Sequence, residues 1–276
     1  MNKINTLFFS AVIMLVSACA VQPASTSVKM SDTPEEVAEM LAKAQAGDLK
    51  AQEDVCATAP GQNSHLKLAD MGDSWCEKAA AQGSIYAMLD LSMRYDSGMG
   101  RDKDPAQALK WLQRAVSTKP LPNELYAPEA YATMAQAYEY GLMGLAPNQK
   151  KAAEWHLKAA NADWTNSYLP LARHYESGIG VRQNFKKAVK WYTAAAEAGQ
   201  AEAQLSLALL YMKGLGVRRD EGKALFWSSV ATGNQKGRAA HYQTLVPYAF
   251  IGSGSSLTRT EIDGILEKVK EWNENQ

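Results

Sequence analysis

The sequence has few of the residues that most metal and catalytic sites require. Its 276 residues include three cysteines and four histidines, with neither an HExxH sequence nor a Cys/His spacing typical of zinc ligands. We expect each histidine to stand alone as a partly exposed residue of a helix or loop; the four are His65, His156, His174 and His241. This composition favours a protein without a metal site, a cofactor or catalytic residues.

The chain also lacks an excess of either charge and lacks a long apolar run. It has 29 basic and 29 acidic residues and a formal net charge of +0, which argues against electrostatic capture of nucleic acid or of an anionic membrane surface. The longest apolar stretch, residues 7–16, is too short for a permanent membrane helix, which needs about 20 residues. Because the two charges balance, we expect no nucleic-acid partner.

Residues 1–18 are predicted to be a signal peptide. Lys3 precedes the apolar stretch, and a Val-Ser-Ala-Cys sequence ending at Cys19 follows it. This ending resembles the lipobox of bacterial lipoproteins, in which cleavage precedes the cysteine and the cysteine is lipidated. The resemblance implies a lipid on Cys19, and Ala20 at the next position implies the outer membrane, with the protein facing the periplasm. The alternative is an ordinary signal peptide that ends near a cysteine.

The most informative stretch contains one pattern written twice, with every member separated by 36 residues. The first copy comprises Leu171, Tyr175, Gly178, Gly180, Val181, Ala188, Trp191 and Ala195. The second copy comprises Leu207, Tyr211, Gly214, Gly216, Val217, Ala224, Trp227 and Ala231. A fixed period of this size predicts a stacked repeat architecture.

Each unit is predicted to be a pair of antiparallel helices, which we call helix A and helix B. Helix A carries Leu171 and Tyr175 on one face and ends at Gly178, because glycine readily takes the left-handed conformation that ends a helix. Helix B starts after Asn184, a good N-cap, and buries Trp191 between alanines. One pair cannot cover its own apolar face, so neighbours must stack. The predicted fold is all-α, a right-handed α-solenoid of stacked antiparallel helix pairs with capping helices at both ends.

The pattern also divides the chain into segments. Residues 19–32 are small and polar and are predicted to form a flexible tether. Residues 33–276 are predicted to form the solenoid domain, in which the best repeats cover about 84–233 and C-terminal capping helices cover 234–273. A capping box at residues 258–261 is predicted to open the last helix.

These repeats resemble the SLR family (Sel-one-like repeats), relatives of tetratricopeptide repeats. The resemblance lies in Leu207, Tyr211, Gly214, Leu215, Gly216, Val217, Asp220, Lys223, Ala224 and Trp227. It implies an adaptor or scaffold without enzymatic activity. Some lipoproteins with such repeats look like immunity proteins against phospholipase toxins, and a cysteine-rich branch with a disulfide in most units has been linked with penicillin binding.

The two cysteines beyond Cys19 fall one on each helix of a degenerate first unit. Because the predicted compartment is oxidising, Cys56 and Cys76 are predicted to form a helix-to-helix disulfide. The alternative is that both are small buried hydrophobic residues.

The predicted partner-binding surface consists of solvent-facing side chains of helix A, which lines the concave side in the related tetratricopeptide geometry. The side chains assigned to the partner are Tyr86, Met93, Asp96, Glu129, Gln136, Glu139, Arg173, Glu176, Leu209 and Met212. Leu89 and Ala132 are expected to face solvent on the same side. Asp96, Glu139 and Glu176 form an acidic stripe that becomes apolar at Leu209 and Met212, which would suit a basic and apolar segment of a partner. The alternative is that these acidic residues are merely solvated.

The sequence thus predicts a non-enzymatic, lipid-anchored envelope protein that binds another protein, with toxin immunity preferred over an assembly or regulatory scaffold. The rival class is an enzyme acting on β-lactams or peptidoglycan. It is suggested only by an S-x-x-K sequence at Ser64–Lys67, which lacks the partner motifs of penicillin-reactive enzymes.

Overall fold

The computed structural model describes residues 34–57, 72–120, 125–233 and 256–275. Several predictions concern residues outside these ranges: the signal peptide, the lipidation of Cys19, the tether, Ser64–Lys67, His65, His241 and the part of the C-terminal capping helices at 234–255. Within these ranges no helix is both long enough and apolar enough to cross a membrane.

The described residues form twelve α-helices and no strand, which confirms the predicted all-α solenoid class. The helices are α1 (Pro34–Gln45), α2 (Leu49–Cys56), α3 (Gly72–Ala81), α4 (Ile85–Ser97), α5 (Pro105–Ser117), α6 (Ala127–Tyr140), α7 (Gln149–Asn161), α8 (Tyr168–Ser177), α9 (Phe185–Glu197), α10 (Ala201–Lys213), α11 (Glu221–Gly233) and α12 (Arg259–Glu274). A short 3₁₀ turn, Thr165–Ser167, precedes α8. The chain divides into two compact units, Met1–Ala87 and Met88–Gln276.

The ends of the helices follow the local sequence as predicted. Helix A of the first copy, α8, ends at Gly178 with φ 76° in the left-handed region, and the Gly178 amide donates to the His174 carbonyl. Helix B, α9, begins after Asn184, whose side chain accepts from the Lys187 amide at 3.0 Å. In the second copy, Gly214 ends α10 and Asp220 caps α11 in the same way.

The second glycine of each Gly-x-Gly turn has a different role from the first. A Cβ added at Gly180 would lie 2.2 Å from the Gln149 carbonyl oxygen, and one added at Gly216 would lie 2.4 Å from the Phe185 carbonyl group. In each turn, the backbone of the second glycine therefore packs directly against the backbone of the first residues of the preceding helix B. This contact needs glycine for space as well as for its positive φ.

The core of the second unit runs continuously through successive repeats. Leu171 and Leu207 are fully buried, and Trp191 and Trp227 belong to the same cluster, which spans α7 to α11. The small alanines of helix B allow the helices to approach closely while the tryptophans fill the remaining volume. The repeat positions predicted from the 36-residue period are therefore the positions that hold the pairs together.

The first unit contains α1 to α3, and its core includes Val55 and Trp75. A disulfide joins Cys56 at the end of α2 to Cys76 in α3; we call it the α2–α3 disulfide. Gln52 Nε2 donates to the Ala44 carbonyl at 3.0 Å. The regular repeats contain the matching bond, from Gln204 Nε2 to the Ala196 carbonyl at 3.0 Å. The degenerate unit thus keeps the contact between helix A and the preceding helix B.

The last helix, α12, packs against α11. Ile262 is buried with Leu225, and the Trp272 and Trp227 rings meet edge to face with centroids 5.4 Å apart. The predicted capping box is present, formed by Thr258 and Glu261. The helix therefore covers the apolar side that the last repeat would otherwise expose.

Candidate functional site

The predicted partner surface is only partly exposed. Met93, Arg173 and Leu209 face solvent, whereas Tyr86, Asp96, Glu129, Gln136, Glu139, Glu176 and Met212 are half-buried. The expectation for Leu89 and Ala132 is wrong, since they are 4% and 6% exposed. The pattern of one isolated helix does not reveal that these two positions are buried.

Two of the three carboxylates in the predicted acidic stripe accept hydrogen bonds from helix B. Glu139 Oε2 lies 3.2 Å from His156 Nε2, and Glu176 Oε2 accepts from the Tyr192 hydroxyl. Burial and the Glu176 carboxylate together raise the pKa of Tyr192 far above its ordinary value, so this hydroxyl stays protonated as the donor. The two carboxylates therefore belong to the internal structure of their repeats as well as to its surface.

Arg173 partly neutralises the negative charge of this surface. Its guanidinium pairs with the Glu202 carboxylate on α10. Burial acts to raise the pKa of Glu139, but the hydrogen bond from His156 and the charges of His156, His174 and Arg173 hold it below its ordinary value. The local arrangement is one of mixed charge rather than a purely acidic stripe.

Beside this ion pair, α10 presents an apolar strip. Leu205 and Leu209 lie one turn apart and are 46% and 47% exposed. Met212, predicted to continue the strip, instead packs against the cluster that contains Leu225 and Ile262. We call Arg173, Glu202, Leu205 and Leu209 the α8–α10 surface.

Two histidines differ from the prediction. His156 and His174 are 2% and 5% exposed, with ring centroids 6.0 Å apart, so the expectation that each stands alone and partly exposed is wrong for this pair. Together with Glu139 they form a group, the carboxylate–histidine cluster, in which one candidate ligand atom from each residue lies within 4.8 Å of the others. The residues come from three successive helices and are 17 and 18 positions apart, so no short motif reveals them.

A cleft lies on the turn side of the same repeats. Its volume is about 610 Å³ and its lining includes Lys150, Arg182 and Lys187 together with Glu154. Lys187 lies over the Tyr175 ring, with the Nζ atom 5.0 Å from the ring centroid. Lys187 is thus shared between the cleft and an aromatic contact.

These features define the class of protein: an all-α repeat protein built from stacked helix pairs. The Sel1 repeat matches residues 74–84, 85–117, 128–164, 170–200 and 201–231. These segments make up just over half of the chain, and the chain belongs to the Sel1 repeat family. Sel1-repeat proteins generally mediate protein–protein interaction and are typically non-catalytic scaffolds.

Solved structures share this fold. A Sel1 repeat protein from Oxalobacter formigenes is 26% identical with a TM-score of 0.65, and the match covers 86% of this chain and 93% of that one. A protective antigen present in uropathogenic Escherichia coli strains, which displays an SLR fold, is 22% identical with a TM-score of 0.63 over 87% of this chain. This chain spans 57% of the length of that antigen. No curated protein matches the sequence.

Proposed function

We propose that this protein binds another protein through the α8–α10 surface. The observation that carries the proposal is the pair of exposed leucines, Leu205 and Leu209, beside the Arg173–Glu202 ion pair. Apolar side chains rimmed by charged groups are typical of sites that recognise other proteins. Membership of a family that generally mediates protein–protein interaction supports the same conclusion.

The chemistry of the surface constrains the partner. An apolar side chain of the partner packs on Leu205 and Leu209, where its burial would contribute about 1.5–3 kcal/mol. A charged side chain of the partner replaces either Arg173 or Glu202 in their ion pair and binds the other residue. Charge complementarity of this kind sets orientation and specificity more than affinity.

A pull-down from an envelope extract tests the proposal. The test variant is Leu205→Asp combined with Leu209→Asp, and the matched control is Ile179→Asp, because Ile179 is also an exposed apolar residue (55%) but lies in a turn. We expect one stoichiometric partner, identified by mass spectrometry, that is lost from the test variant and retained by the control.

A third variant distinguishes this surface from the acidic stripe. Charge reversal of Asp96, Glu139 and Glu176 is expected to weaken binding less than the leucine substitutions do. If charge reversal abolishes binding in protein that keeps the wild-type circular dichroism spectrum and melting temperature, while the leucine variant binds normally, the acidic stripe is the binding site and the α8–α10 surface is not.

We further propose that the protein is held at the outer membrane by a lipid on Cys19. The support is the lipobox-like sequence that ends at Cys19 after an apolar run. Mass spectrometry of the protein extracted from membranes should find cleavage before Cys19 and an added lipid mass. Cys19→Ala should shift the protein from the membrane to the soluble fraction, and an unchanged distribution would contradict the anchor.

For the biological role, we propose toxin immunity, with an assembly or regulatory scaffold as the alternative. The support is the resemblance of lipid-anchored SLR proteins to immunity proteins. Co-expression with a phospholipase toxin encoded beside its gene should restore viability, and Leu205→Asp with Leu209→Asp should remove that protection. A captured partner that is a resident envelope protein, with no protection from a toxin, would favour the scaffold.

A further inference from the structure

Three successive helices bring Glu139, His156 and His174 together. Glu139 lies in the last turn of α6, His156 in the middle of α7 and His174 in α8. Both histidines are buried, whereas the Glu139 side chain is 23% exposed. The cluster is therefore enclosed on the histidine side and reaches solvent at the carboxylate.

Each histidine has a second contact that orients its ring. The His174 Nδ1–H donates to the Ile179 carbonyl at 2.8 Å, which leaves the lone pair on Nε2. His156 Nδ1 lies 3.2 Å from the Ser167 hydroxyl, and its Nε2 lies 3.2 Å from Glu139 Oε2. Without an ion, His156 carries its proton on Nε2, donates to Glu139 and accepts from the Ser167 hydroxyl through Nδ1. Since the hydroxyl can accept as well as donate, an ion can displace the Nε2 proton while Nδ1 becomes protonated and donates to Ser167. Ring nitrogens oriented by outer hydrogen bonds are characteristic of metal-binding histidines.

We propose that Glu139, His156 and His174 bind a divalent transition-metal ion, and that Zn²⁺ fits them best. Two imidazoles and one carboxylate form a donor set that zinc uses in proteins, with metal–ligand distances of about 2.0–2.2 Å. Tetrahedral geometry at such distances places neighbouring ligand atoms about 3.3 Å apart. The 3.2 Å between Glu139 and His156 already matches this spacing, and the three donors lie within 4.8 Å of one another, so the third donor must move closer when the ion binds. Zinc sites with three protein ligands take water at the fourth position.

The neighbouring charges set the conditions for binding. Arg173 acts on Glu139 and opposes a cation, but its guanidinium is exposed and pairs with Glu202 at the surface. The ligands must be an ionised carboxylate and two neutral imidazoles, so protons compete with the metal and affinity falls on acidification. A bound ion would link α6, α7 and α8, and would raise the melting temperature of the second unit.

The test is a titration of the full chain without an affinity tag, at neutral pH, with Zn²⁺ in competition with a chromophoric chelator. We expect one equivalent to bind. Glu139→Gln and His174→Leu should each weaken binding by at least about 100-fold, and Ser167→Ala by about 10-fold, as expected for an outer partner. Leucine is chosen at position 174 because Leu210 occupies the same repeat position and is buried there. The control, His65→Gln with His241→Gln, should bind as the wild type does.

A second measurement on the wild type makes the test independent of how the variants fold. Replacement of Zn²⁺ by Co²⁺ should give the intense visible absorption of a four-coordinate ion with nitrogen and oxygen ligands. Weak octahedral bands or less than one equivalent of bound Zn²⁺ would each overturn the proposal. So would a loss of zinc binding in the variant His65→Gln with His241→Gln while Glu139→Gln and His174→Leu bind as the wild type does.

Discussion

Replacing Gly216 by alanine tests whether neighbouring repeats depend on close backbone contact. The added Cβ would lie 2.4 Å from the carbonyl carbon and oxygen of Phe185 and 2.8 Å from the Lys186 amide nitrogen. These are backbone atoms at the start of α9, which cannot rotate away as a flexible side chain can. The residue also has φ 74°, where a non-glycine residue loses about 1–2 kcal/mol. Adding about 1–3 kcal/mol for overpacking gives an expected loss of about 2–5 kcal/mol in unfolding free energy.

Gly199→Ala is the matched control, because Gly199 has a similar φ of 80° but a Cβ there would meet nothing within 4 Å. It should lose only the conformational term, about 1–2 kcal/mol. Both positions lie in the second unit, so urea denaturation followed by circular dichroism reports the same transition for each. Equal losses, within about 0.5 kcal/mol, would refute the argument that the Gly216 turn is in steric contact with α9.

Further predictions concern the internal hydrogen bonds, the carboxylates and the disulfide. Tyr192→Phe should lower the unfolding free energy by about 1.5–3 kcal/mol, because it removes a bond to a carboxylate, whereas Tyr168→Phe, whose bond is exposed and 3.5 Å long, should change it by less than about 0.5 kcal/mol. Burial raises the pKa of Glu129 in the folded protein. The Glu129 side chain therefore favours folding only while it is protonated, and this contribution to stability is lost as pH rises through its folded pKa. Glu129→Gln should accordingly stabilise the protein at neutral pH but not near pH 3, as measured by urea titration. The net effect at Glu139 is the reverse, a lowered pKa; Glu139→Gln should therefore destabilise at neutral pH, with the difference vanishing as pH falls below the folded pKa. Reduction of the α2–α3 disulfide, which spans 20 residues, should lower the stability of the first unit by about 3 kcal/mol, and thiol labelling of denatured, unreduced protein should find both cysteines blocked.

The sequence predicts the repeat because its causes are local. Gly178 ends a helix through its own φ, and Asn184 caps the next helix with its own side chain, so a 36-residue period reveals both. The close approach of Gly180 to Gln149 depends instead on how one repeat stacks on another, and a single unit contains no sign of it. Leu89 is buried, although helical periodicity within one unit predicts that it faces solvent.

The carboxylate–histidine cluster combines a feature of the repeat with one that only this unit has. The pair of Glu139 and His156 matches the pair of Glu176 and Tyr192 in the next repeat: an acid after the tyrosine of helix A contacts the residue after the tryptophan of helix B. This contact alone is therefore explained by repeat architecture. His174 is not, because the corresponding position 36 residues later is the apolar Leu210. The metal proposal thus depends on His174, the residue that turns a structural hydrogen bond into a set of three ligands.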